Sequence, residues 1–271
     1  MITSAGNEKV KHIIQLGKKS RERTREGVFL VEGVRMFREV PRERLVQTYV
    51  SESFLEDPDQ KRLLDGIRWE CVKDSVFSRM SDTLTPQGIL CVVKQMEYRM
   101  EDLLAGTAPL LLILEDLQDP GNVGTIFRTA EGAGVSGILM TRKCVDIYNP
   151  KTIRSTMGSI YRVPFLCVEE LEPVLRLLEE RGISTCAAHL RGERLYDEED
   201  YTQGTAFLIG NEGNGLSQWL SGRADRLIRI PMKGKLESLN AGVAAAILMY
   251  EAARQRRGCS LVNSSRTFRK M

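Results

Sequence analysis

The sequence predicts an α/β protein built as two domains. Its length of 271 residues exceeds the roughly 100–200 residues that are usual for a single domain. Short apolar runs typical of strands alternate with amphipathic stretches typical of helices. A charged segment punctuated by glycine and proline, MEYRMEDLLAGTAP, interrupts this alternation and predicts a domain boundary. We therefore predict a smaller first domain over residues 1–97, a linker over 98–109 and a second domain over 110–271.

The first domain has the pattern of a compact α/β unit. An amphipathic helix, EKVKHIIQLGKK, is followed by the strand-like run VFLVEG. The remaining predicted elements are a helix near VRMFREV, a strand at LVQTYVS, a helix around DQKRLLDG, and strands at IRWECV and GILCVVK.

The second domain opens with PLLLILEDL, an apolar run suited to a strand that is buried on both faces. Strand and helix patterns then alternate, which predicts a mostly parallel sheet covered by helices. Ligands of such sheets bind at the carboxyl ends of the strands. The predicted strands are 110–114, 136–140, 164–168, 183–188, 206–210 and 226–230.

Composition limits the classes of protein that fit this chain. No window approaches the roughly 18 uninterrupted apolar residues of a membrane span, and the start, MITSAGNEKVKH, lacks the apolar core of a signal peptide. We therefore expect no membrane association and a cytoplasmic location. The six cysteines are scattered without a CxxC pair and the chain has two histidines. Reduced thiols are therefore expected rather than disulfides, and no metal is expected.

Positive charge is concentrated at the two ends of the chain. Residues 1–25 carry a net charge of +5 and residues 252–271 carry +6, while the middle carries −8. Basic clusters such as KKSRERTR and RQRR are suited to contact the phosphates of a nucleic acid. Solubilising charge on helix faces and on a loose tail is an equally good explanation, because a basic patch does not identify its partner.

Three segments of the second domain each place a loop of small and polar residues after a predicted strand. They are LEDLQDPGNVGTIFRTAEGAG, AFLIGNEGNGLS and IRIPMKGKLESLNAGVAAA. If their strands are neighbours in the sheet, the three loops converge on one pocket. GNEGNG has the wrong order for the dinucleotide fingerprint G-x-G-x-x-G, and the chain contains no phosphate-binding G-x-x-x-x-G-K-[ST] loop. These absences argue against a nucleotide-dependent oxidoreductase and a P-loop enzyme.

Together, and in this order, the three segments resemble the signature motifs of the TrmH (SpoU) family in the SPOUT superfamily of methyltransferases. The resemblance covers about residues 108–256, and the first domain is similar to the family's substrate-binding domain, which is related to RNA-binding ribosomal proteins. The third motif departs from the family pattern, with Ala241 and Gly242 where valine and serine are common. The matching positions are Asn122, Gly124 and Arg128; Gly210, Asn211, Glu212, Gly213, Gly215, Leu216 and Ser217; and Ile230, Pro231, Met232, Gly234, Ser238, Leu239 and Asn240.

The resemblance implies a function and a fold. It implies transfer of a methyl group from S-adenosylmethionine (AdoMet) to a ribose 2′-hydroxyl of structured RNA. Ribosomal and transfer RNA are both substrates in the family, and the extra N-terminal domain favours ribosomal RNA. It also implies a homodimer formed through the C-terminal domain and a deep trefoil knot in that domain. The alternative is a non-catalytic RNA-binding protein that retains the fold, but the polar positions of all three motifs are intact, which favours an enzyme.

The resemblance also assigns residues to the site. The glycines of the second motif lack the Cβ atom that would block close approach of the main chain to an adenosine. Arg128 is expected to clamp an RNA phosphate beside the target ribose; the alternative is a helix arginine paired with Glu131. His12 and His189 lie in no motif and are poor candidates for a base, while Ser217 and Ser238 are alternatively helix caps. The implied catalytic residues are Arg128, Asn122, Glu212 and Asn240, and the implied cofactor-binding residues are Gly210, Asn211, Gly213, Gly215, Leu216, Ile230, Pro231, Met232, Ser238 and Leu239.

Overall fold

A computed structural model describes residues 1–236 and 238–267, with side chains described as far as Arg257. The chain packs as two units. The first comprises residues 1–97 and 146–161, and the second comprises 98–145 and the remainder. Of the predicted basic C-terminal segment, the side chain of Arg266 and all of Arg269 and Lys270 lie outside the described residues.

Helices and short 3-10 turns connect the strands of both units. The helices are α1 Glu8–Lys18, α2 Ser20–Glu26, α3 Val34–Glu39, α4 Glu52–Glu56, α5 Pro58–Arg62, α6 Asp74–Met80, α7 Met100–Leu103, α8 Pro120–Ala133, α9 Pro150–Thr156, α10 Glu172–Glu180, α11 Gln218–Arg223 and α12 Ala241–Thr267. The strands are β1 Val28–Glu32, β2 Leu45–Ser51, β3 Trp69–Val72, β4 Ile89–Lys94, β5 Leu110–Leu114, β6 Gly137–Thr141, β7 Phe165–Val168, β8 Ser184–Ala188, β9 Arg194–Leu195, β10 Thr205–Ile209 and β11 Arg226–Arg229. The 3-10 turns are Arg42–Arg44 and Ser159–Tyr161.

The sheet of the first unit has the strand order β1-β4-β2-β3, with β4 antiparallel to both of its neighbours. Side chains alternate across β1, as a strand requires. Leu30 lies in the core that is shared with α1 and α6. Phe29 points to the opposite face, where its ring lies 4.8 Å from that of Tyr148 and 6.3 Å from that of Tyr161. Residues 146–161 therefore complete the first unit, although the chain reaches them only after entering the second.

The second unit contains the parallel sheet that the sequence predicts, in the order β7-β6-β5-β10-β8-β11-β9. All of its pairings are parallel. Every residue of β5 is buried, because helices cover both faces of the sheet. The α/β class and the parallel sheet are confirmed. The deep trefoil knot stays a prediction from the family resemblance.

The predicted linker, residues 98–109, contains the short helix α7. Leu103 on this helix is fully buried in the core of the second unit. A Cβ atom on Gly137 would lie 2.3 Å from Leu103 Cγ, so the glycine at the start of β6 provides the space for this leucine. Most of residues 98–109 therefore pack with the second unit.

The strand order determines which loops meet at the carboxyl edge of the second sheet. β5 and β10, which precede the first two motifs, are adjacent. β11, which precedes the third motif, is separated from β10 by β8. The loop that follows β8 therefore lies between the loops of the second and third motifs.

Two further features concern the described residues alone. Every helix within residues 1–236 and 238–267 is too short or too polar to span a bilayer. In the same part of the chain, no three His, Cys, Asp or Glu side chains are grouped in a way that would hold a metal ion.

Candidate active site

The loop of the second motif, residues 210–217, closes on itself through hydrogen bonds. Asn211 N donates to Gly215 O at 3.0 Å, and Gly215 N donates to Asn211 O at 2.8 Å. Inside this turn, Asn211 Oδ1 accepts from Gly213 N at 2.9 Å and from Asn214 N at 3.1 Å. Asn211 Nδ2 donates to the carbonyl of Asp116, in the loop that follows β5. The second-motif loop is thus shaped by its own bonds and tied to the loop after β5.

The three glycines of this loop have different structural roles. A Cβ atom on Gly210 would lie 2.1 Å from Leu216 N, so this glycine permits close approach of two parts of the same loop. Gly215 has a φ of +67°, which side chains other than glycine rarely adopt. Gly213 has neither constraint, since its Cβ would meet only Asn211 Oδ1 at 3.5 Å. The missing side chain of Gly210 is therefore required by its own loop, and the assignment of these glycines to cofactor binding stays a prediction.

A chain of hydrogen bonds joins one polar residue from each motif, and we call Asn122, Glu212 and Asn240 the amide–carboxylate network. Asn122 Nδ2 donates to Glu212 Oε1 at 3.0 Å, and Asn240 Nδ2 donates to Asn122 Oδ1 at 2.8 Å. Glu212 also accepts from the backbone N–H groups of Gln118 and Asp119, each at 3.0 Å. These bonds hold the first motif at the start of α8, where Asp119 caps the helix.

The carboxylate of Glu212 is held in its charged form. Glu212 is exposed as a residue, but loss of solvent around its carboxyl oxygens raises its pKa. The hydrogen bonds from Asn122 and from the backbone of Gln118 and Asp119 outweigh this effect and leave the pKa below its usual value. An ionised carboxylate accepts hydrogen bonds only. Glu212 therefore orients donors, and its low pKa makes it a weak base.

A cavity of about 540 Å³ opens at the carboxyl edge of the sheet, beside β8, β10 and β11. Glu212 lines it, whereas Asn122, Asn240, Arg128 and Pro231 are not among its lining residues. It also has a wall that the motifs do not include, formed by His189, Leu190, Arg191 and Arg229. The implied cofactor-binding residues that line the cavity are Gly210, Asn211, Gly213, Gly215, Leu216, Ile230, Met232, Ser238 and Leu239.

The second and third motifs line the cavity, the first motif does not, and the amide–carboxylate network joins it to the other two. This arrangement agrees with comparisons to known families. Residues 109–250 match the profile of the SpoU rRNA Methylase family. Residues 7–91 match the MRM3-like substrate binding domain. The chain belongs to the SpoU rRNA methylase family.

Relatives in this family cover nearly the whole chain. The 23S rRNA (guanosine(2553)-2′-O)-methyltransferase RlmP of Bacillus subtilis is 33% identical, over 92% of this chain and 97% of its own. The crystal structure of the SpoU methyltransferase AviRb from Streptomyces viridochromogenes with AdoMet superimposes with a TM-score of 0.84 and 28% identity, over 92% of this chain and 98% of that one. An AdoMet-bound rRNA methyltransferase from Sinorhizobium meliloti gives a TM-score of 0.81 and 29% identity, over 93% and 97% of the two chains.

The cavity suits the cofactor of the SpoU family. Its volume of about 540 Å³ falls in the usual range of about 300–1,000 Å³ for small-molecule sites. Leu216, Ile230, Met232 and Leu239 provide an apolar lining for an adenine ring. Among the described residues 231–236, backbone groups make no hydrogen bond within the protein, so they are available to the edge of a base. The residues present therefore fit AdoMet.

Arg128 of the SpoU first motif lies on α8 and is exposed. It makes no hydrogen bond or ion pair with any other described residue. Glu131, the partner in the alternative explanation, is engaged by Arg162, whose Nη2 donates to Glu131 Oε2 at 3.2 Å. The structure therefore lacks the predicted alternative pair, and the guanidinium is available to a ligand.

The remaining motif positions resolve the questions about helix caps. Ser217 caps α11, since its hydroxyl accepts from Leu220 N at 3.1 Å. Ser238 is not the cap of α12. Asn240 has that role, because its Oδ1 accepts from Gly242 N at 2.9 Å and from Val243 N at 3.2 Å. The sequence alone does not decide whether Ser217 and Ser238 are helix caps, because the position of each is compatible with a cap.

The departure of the third motif at Ala241 and Gly242 has a packing explanation. A Cβ atom on Gly242 would lie 3.2 Å from Asn240 Oδ1 and 3.5 Å from Thr125 on α8. Gly242 therefore lets α12 approach α8 closely while Asn240 keeps its place in the network. Ala241 is buried and lines the cavity.

Proposed function

We propose that this protein transfers a methyl group from AdoMet to a ribose 2′-hydroxyl of structured RNA, and that ribosomal RNA is preferred over transfer RNA. The observation that carries this proposal is the amide–carboxylate network, which brings one polar residue from each motif together beside the cavity. Two relatives that match 92% and 93% of this chain are named as ribosomal RNA methyltransferases. RNA 2′-O-methylation is the activity that accounts for both the network beside the cavity and the similarity to these relatives.

The protein catalyses this reaction chiefly by positioning. Bound AdoMet supplies a methyl group that is already activated by the sulfonium. The ribose hydroxyl is a poor nucleophile, so it has to be aligned with that methyl group. Glu212 holds Asn122, which in turn holds Asn240, and the second N–H of each amide is suited to orient the ribose. Arg128 is permanently charged and is suited to clamp the adjacent phosphate with two parallel hydrogen bonds.

Direct assays separate this enzyme from the non-catalytic alternative. We expect the purified protein to bind AdoMet, and not NAD, in isothermal titration. With radiolabelled AdoMet it should methylate ribosomal RNA from cells that lack the gene. Mapping of 2′-O-methyl groups in ribosomal and transfer RNA, with and without the gene, identifies the nucleotide. RNA binding without methyl transfer would favour the non-catalytic alternative, and a lost methyl in transfer RNA alone would contradict the ribosomal preference.

We assign RNA docking to the first unit, whose N-terminal helices are basic. Lys18, Lys19 and Arg21 are exposed there. Arg23 is not available, because it is buried and its guanidinium binds the carbonyl of Leu16 and the carboxylate of Asp146. Residues 146–161 also belong to this unit, so cutting the chain near Gly106 would expose its interior. Point substitutions in the intact protein are therefore the better test.

Replacing Lys18, Lys19 and Arg21 together by alanine should weaken RNA binding and make it less sensitive to salt. Each lost phosphate contact lowers the slope of log K against log salt by about 0.7 to 0.9, so three contacts lower it by about 2 to 3. Affinity for AdoMet should not change. Arg181→Ala, an exposed arginine of the second unit, is the control. Unchanged salt dependence in the triple variant would contradict docking at this surface.

We further propose that the protein is a homodimer formed through α12. One face of this helix is buried in its own unit through Ala245, Leu248 and Met249. A second face exposes Val243 and Tyr250, which are 47% and 49% accessible. Light scattering should give twice the mass of the chain, and Val243→Glu should shift the protein toward the monomer. A stable wild-type monomer at micromolar concentration, with methyl transfer retained, would refute the dimer. The cytoplasmic location stays a prediction.

A further inference from the structure

His189, which belongs to none of the three motifs, is held in place at the wall of the cavity. It follows β8, between the loops of the second and third motifs. Its backbone N–H donates to Ile228 O at 2.9 Å, and Gly192 N donates to His189 O at 3.0 Å. A Cβ atom on Gly192 would lie 2.6 Å from the carbonyl carbon of Ile228, so the turn is pressed against β11. The position of His189 is therefore set by the sheet.

One hydrogen bond fixes the protonation pattern of the imidazole. The backbone N–H of Arg191 donates to His189 Nδ1 at 3.0 Å. An accepting Nδ1 carries no proton, so the ring is neutral and its proton is on Nε2. The side chain is half-buried, and Nε2 has no hydrogen-bond partner among the residues that the structure describes. His189 therefore offers one neutral N–H donor at the cavity.

The place of this donor in the sheet indicates which part of a cofactor it meets. The amide–carboxylate network lies on the β5 side of β10, whereas His189 lies on the β8 side. The methyl group that is transferred has to lie near the network, so His189 faces a part of the cofactor that does not react. A carboxylate is bound best by a charged donor, which the guanidinium groups of Arg191 and Arg229 on the same wall provide. A neutral hydroxyl leaves the bond from Arg191 N–H intact.

We propose that His189 Nε2 donates a hydrogen bond to a ribose hydroxyl of the AdoMet adenosyl group. His189 is thus a cofactor-binding residue outside the three motifs. The inference rests on the proposed function, because it requires that AdoMet occupies this cavity. Arg191 and Arg229, on the same wall, are then left for the carboxylate of the cofactor.

Isothermal titration with S-adenosylhomocysteine tests this assignment. His189→Ala should bind it about three- to tenfold more weakly than the wild type, as expected for one lost hydrogen bond. His189→Gln, which keeps an N–H donor, should recover part of the affinity. The chain has one other histidine, His12, whose ring pairs with Glu26 in the first unit. His12→Ala is the matched control and should bind like the wild type.

Analogues identify the group that His189 contacts. The wild type should lose affinity for either the 2′-deoxy or the 3′-deoxy analogue of S-adenosylhomocysteine, and His189→Ala should not lose affinity further with that same analogue. The decarboxylated analogue should lose affinity equally in both proteins. The ribose assignment is overturned if His189→Ala loses as much affinity as the wild type with both deoxy analogues. It is also overturned if the only analogue that fails to lower the affinity of His189→Ala is the decarboxylated one.

Imidazole nitrogen spectra give a readout that is independent of affinity. With two histidines in the chain, the His12→Ala variant assigns the signals. His189 should show a neutral ring protonated at Nε2, and its Nε2 signal should shift when S-adenosylhomocysteine is added. An Nδ1-protonated ring, or no shift at saturation, would overturn the proposal. A wild type that binds no S-adenosylhomocysteine would overturn the proposed function itself, and this inference with it.

Discussion

The loop of the second motif and the segment of the third motif, residues 231–240, contact the same cavity but are supported in opposite ways. Residues 211–215 form a closed turn with four internal hydrogen bonds. In the third-motif segment, residues 231–236 have no protein hydrogen-bond partner among the described residues, and Leu236 is 70% exposed. Only at Asn240 does the segment rejoin the network and the start of α12. One side of the cavity is formed before the ligand arrives, and the other has unused backbone groups.

The contrast shows that two glycine-containing motifs can serve one ligand by different means. A preformed loop has lost its conformational freedom during folding, so binding costs it little further entropy. A segment with unpaired backbone groups still has that freedom and gains hydrogen bonds when a ligand binds. Specificity for an adenine edge is then expected from the third-motif segment, and the shape of the cavity from the second-motif loop.

Gly210→Ala should have the largest effect, because it disrupts the preformed loop of the second motif. The new Cβ would lie 2.1 Å from Leu216 N, and backbone cannot move aside as a flexible side chain can. We expect the free energy of unfolding to fall by about 3 kcal/mol and AdoMet binding to be lost. Gly213→Ala is the matched control, because its Cβ has space, and it should cost within about 1 kcal/mol. Denaturant unfolding of both variants measures the difference, and equal stabilities would contradict a preformed loop.

Substitution of Arg128 tests whether methyl transfer also requires a residue outside the second-motif loop and the third-motif segment. The side chain is exposed and does not line the cavity, so Arg128→Ala should bind AdoMet normally and unfold within about 0.5 kcal/mol of the wild type. Turnover should fall by roughly a hundredfold, as for the loss of a charged group that contacts the reacting region. Arg128→Lys should be intermediate, because it keeps the charge but loses the planar fork.

Single-turnover methylation of the RNA substrate is the measurement for Arg128, with folding and oligomeric state checked for each variant. Arg181→Ala serves as the control for loss of an exposed arginine. Wild-type rates in Arg128→Ala would remove this residue from the active site and leave the amide–carboxylate network as the candidate for positioning the ribose.

Glu212→Gln weakens the link between the second-motif loop and the first motif. The pKa of Glu212 in the folded protein is below its usual value of about 4.5, so its charged form contributes stability above that pH. The contribution is lost as pH falls through the folded pKa. The residue is exposed, which screens the interaction, so we expect a cost of about 1 kcal/mol near pH 7.

The measurement for Glu212 is the difference in unfolding free energy between the wild type and Glu212→Gln as a function of pH. It should be constant above about pH 5 and shrink as the wild-type carboxylate is protonated. Glu180→Gln, at an exposed position on α10, is the matched control for loss of a surface carboxylate. A difference that grows toward low pH would contradict the assignment of a stabilised carboxylate.

Sequence reasoning succeeded where the determining interactions are local. The predicted strand 110–114 has the same bounds as β5, because a strand buried on both faces is a continuous apolar run. The strand β9, Arg194–Leu195, was not predicted, since two residues, one of them charged, carry no periodic pattern. Short helices such as α4, Glu52–Glu56, escaped for the same reason.

The features of the site that the sequence did not predict depend on contacts between segments that are distant in the chain. His189 was set aside because it lies in no motif, and only the position of β8 between β10 and β11 brings it to the cavity. Likewise, nothing local shows that Tyr148 packs on Phe29. The family pattern marks the motif residues, but only the folded loop shows that a Cβ atom would clash at Gly210 and has space at Gly213.

Hydrogen exchange of the backbone compares the second-motif loop with the third-motif segment without any substitution. Of the effects predicted here, the change in exchange is the smallest. The N–H groups of Asn211, Gly213 and Asn214 donate within the loop, so they should exchange slowly with and without AdoMet. Residues 232–236 have no such bonds among the described residues and should exchange quickly in the free protein, since protection requires a hydrogen bond that must open. Adding AdoMet should slow exchange in 232–236 and leave 211–215 nearly unchanged. Equal protection of the two segments in the free protein would show that the third-motif segment is also preformed, and the adenine edge would then have to be read by a rigid surface.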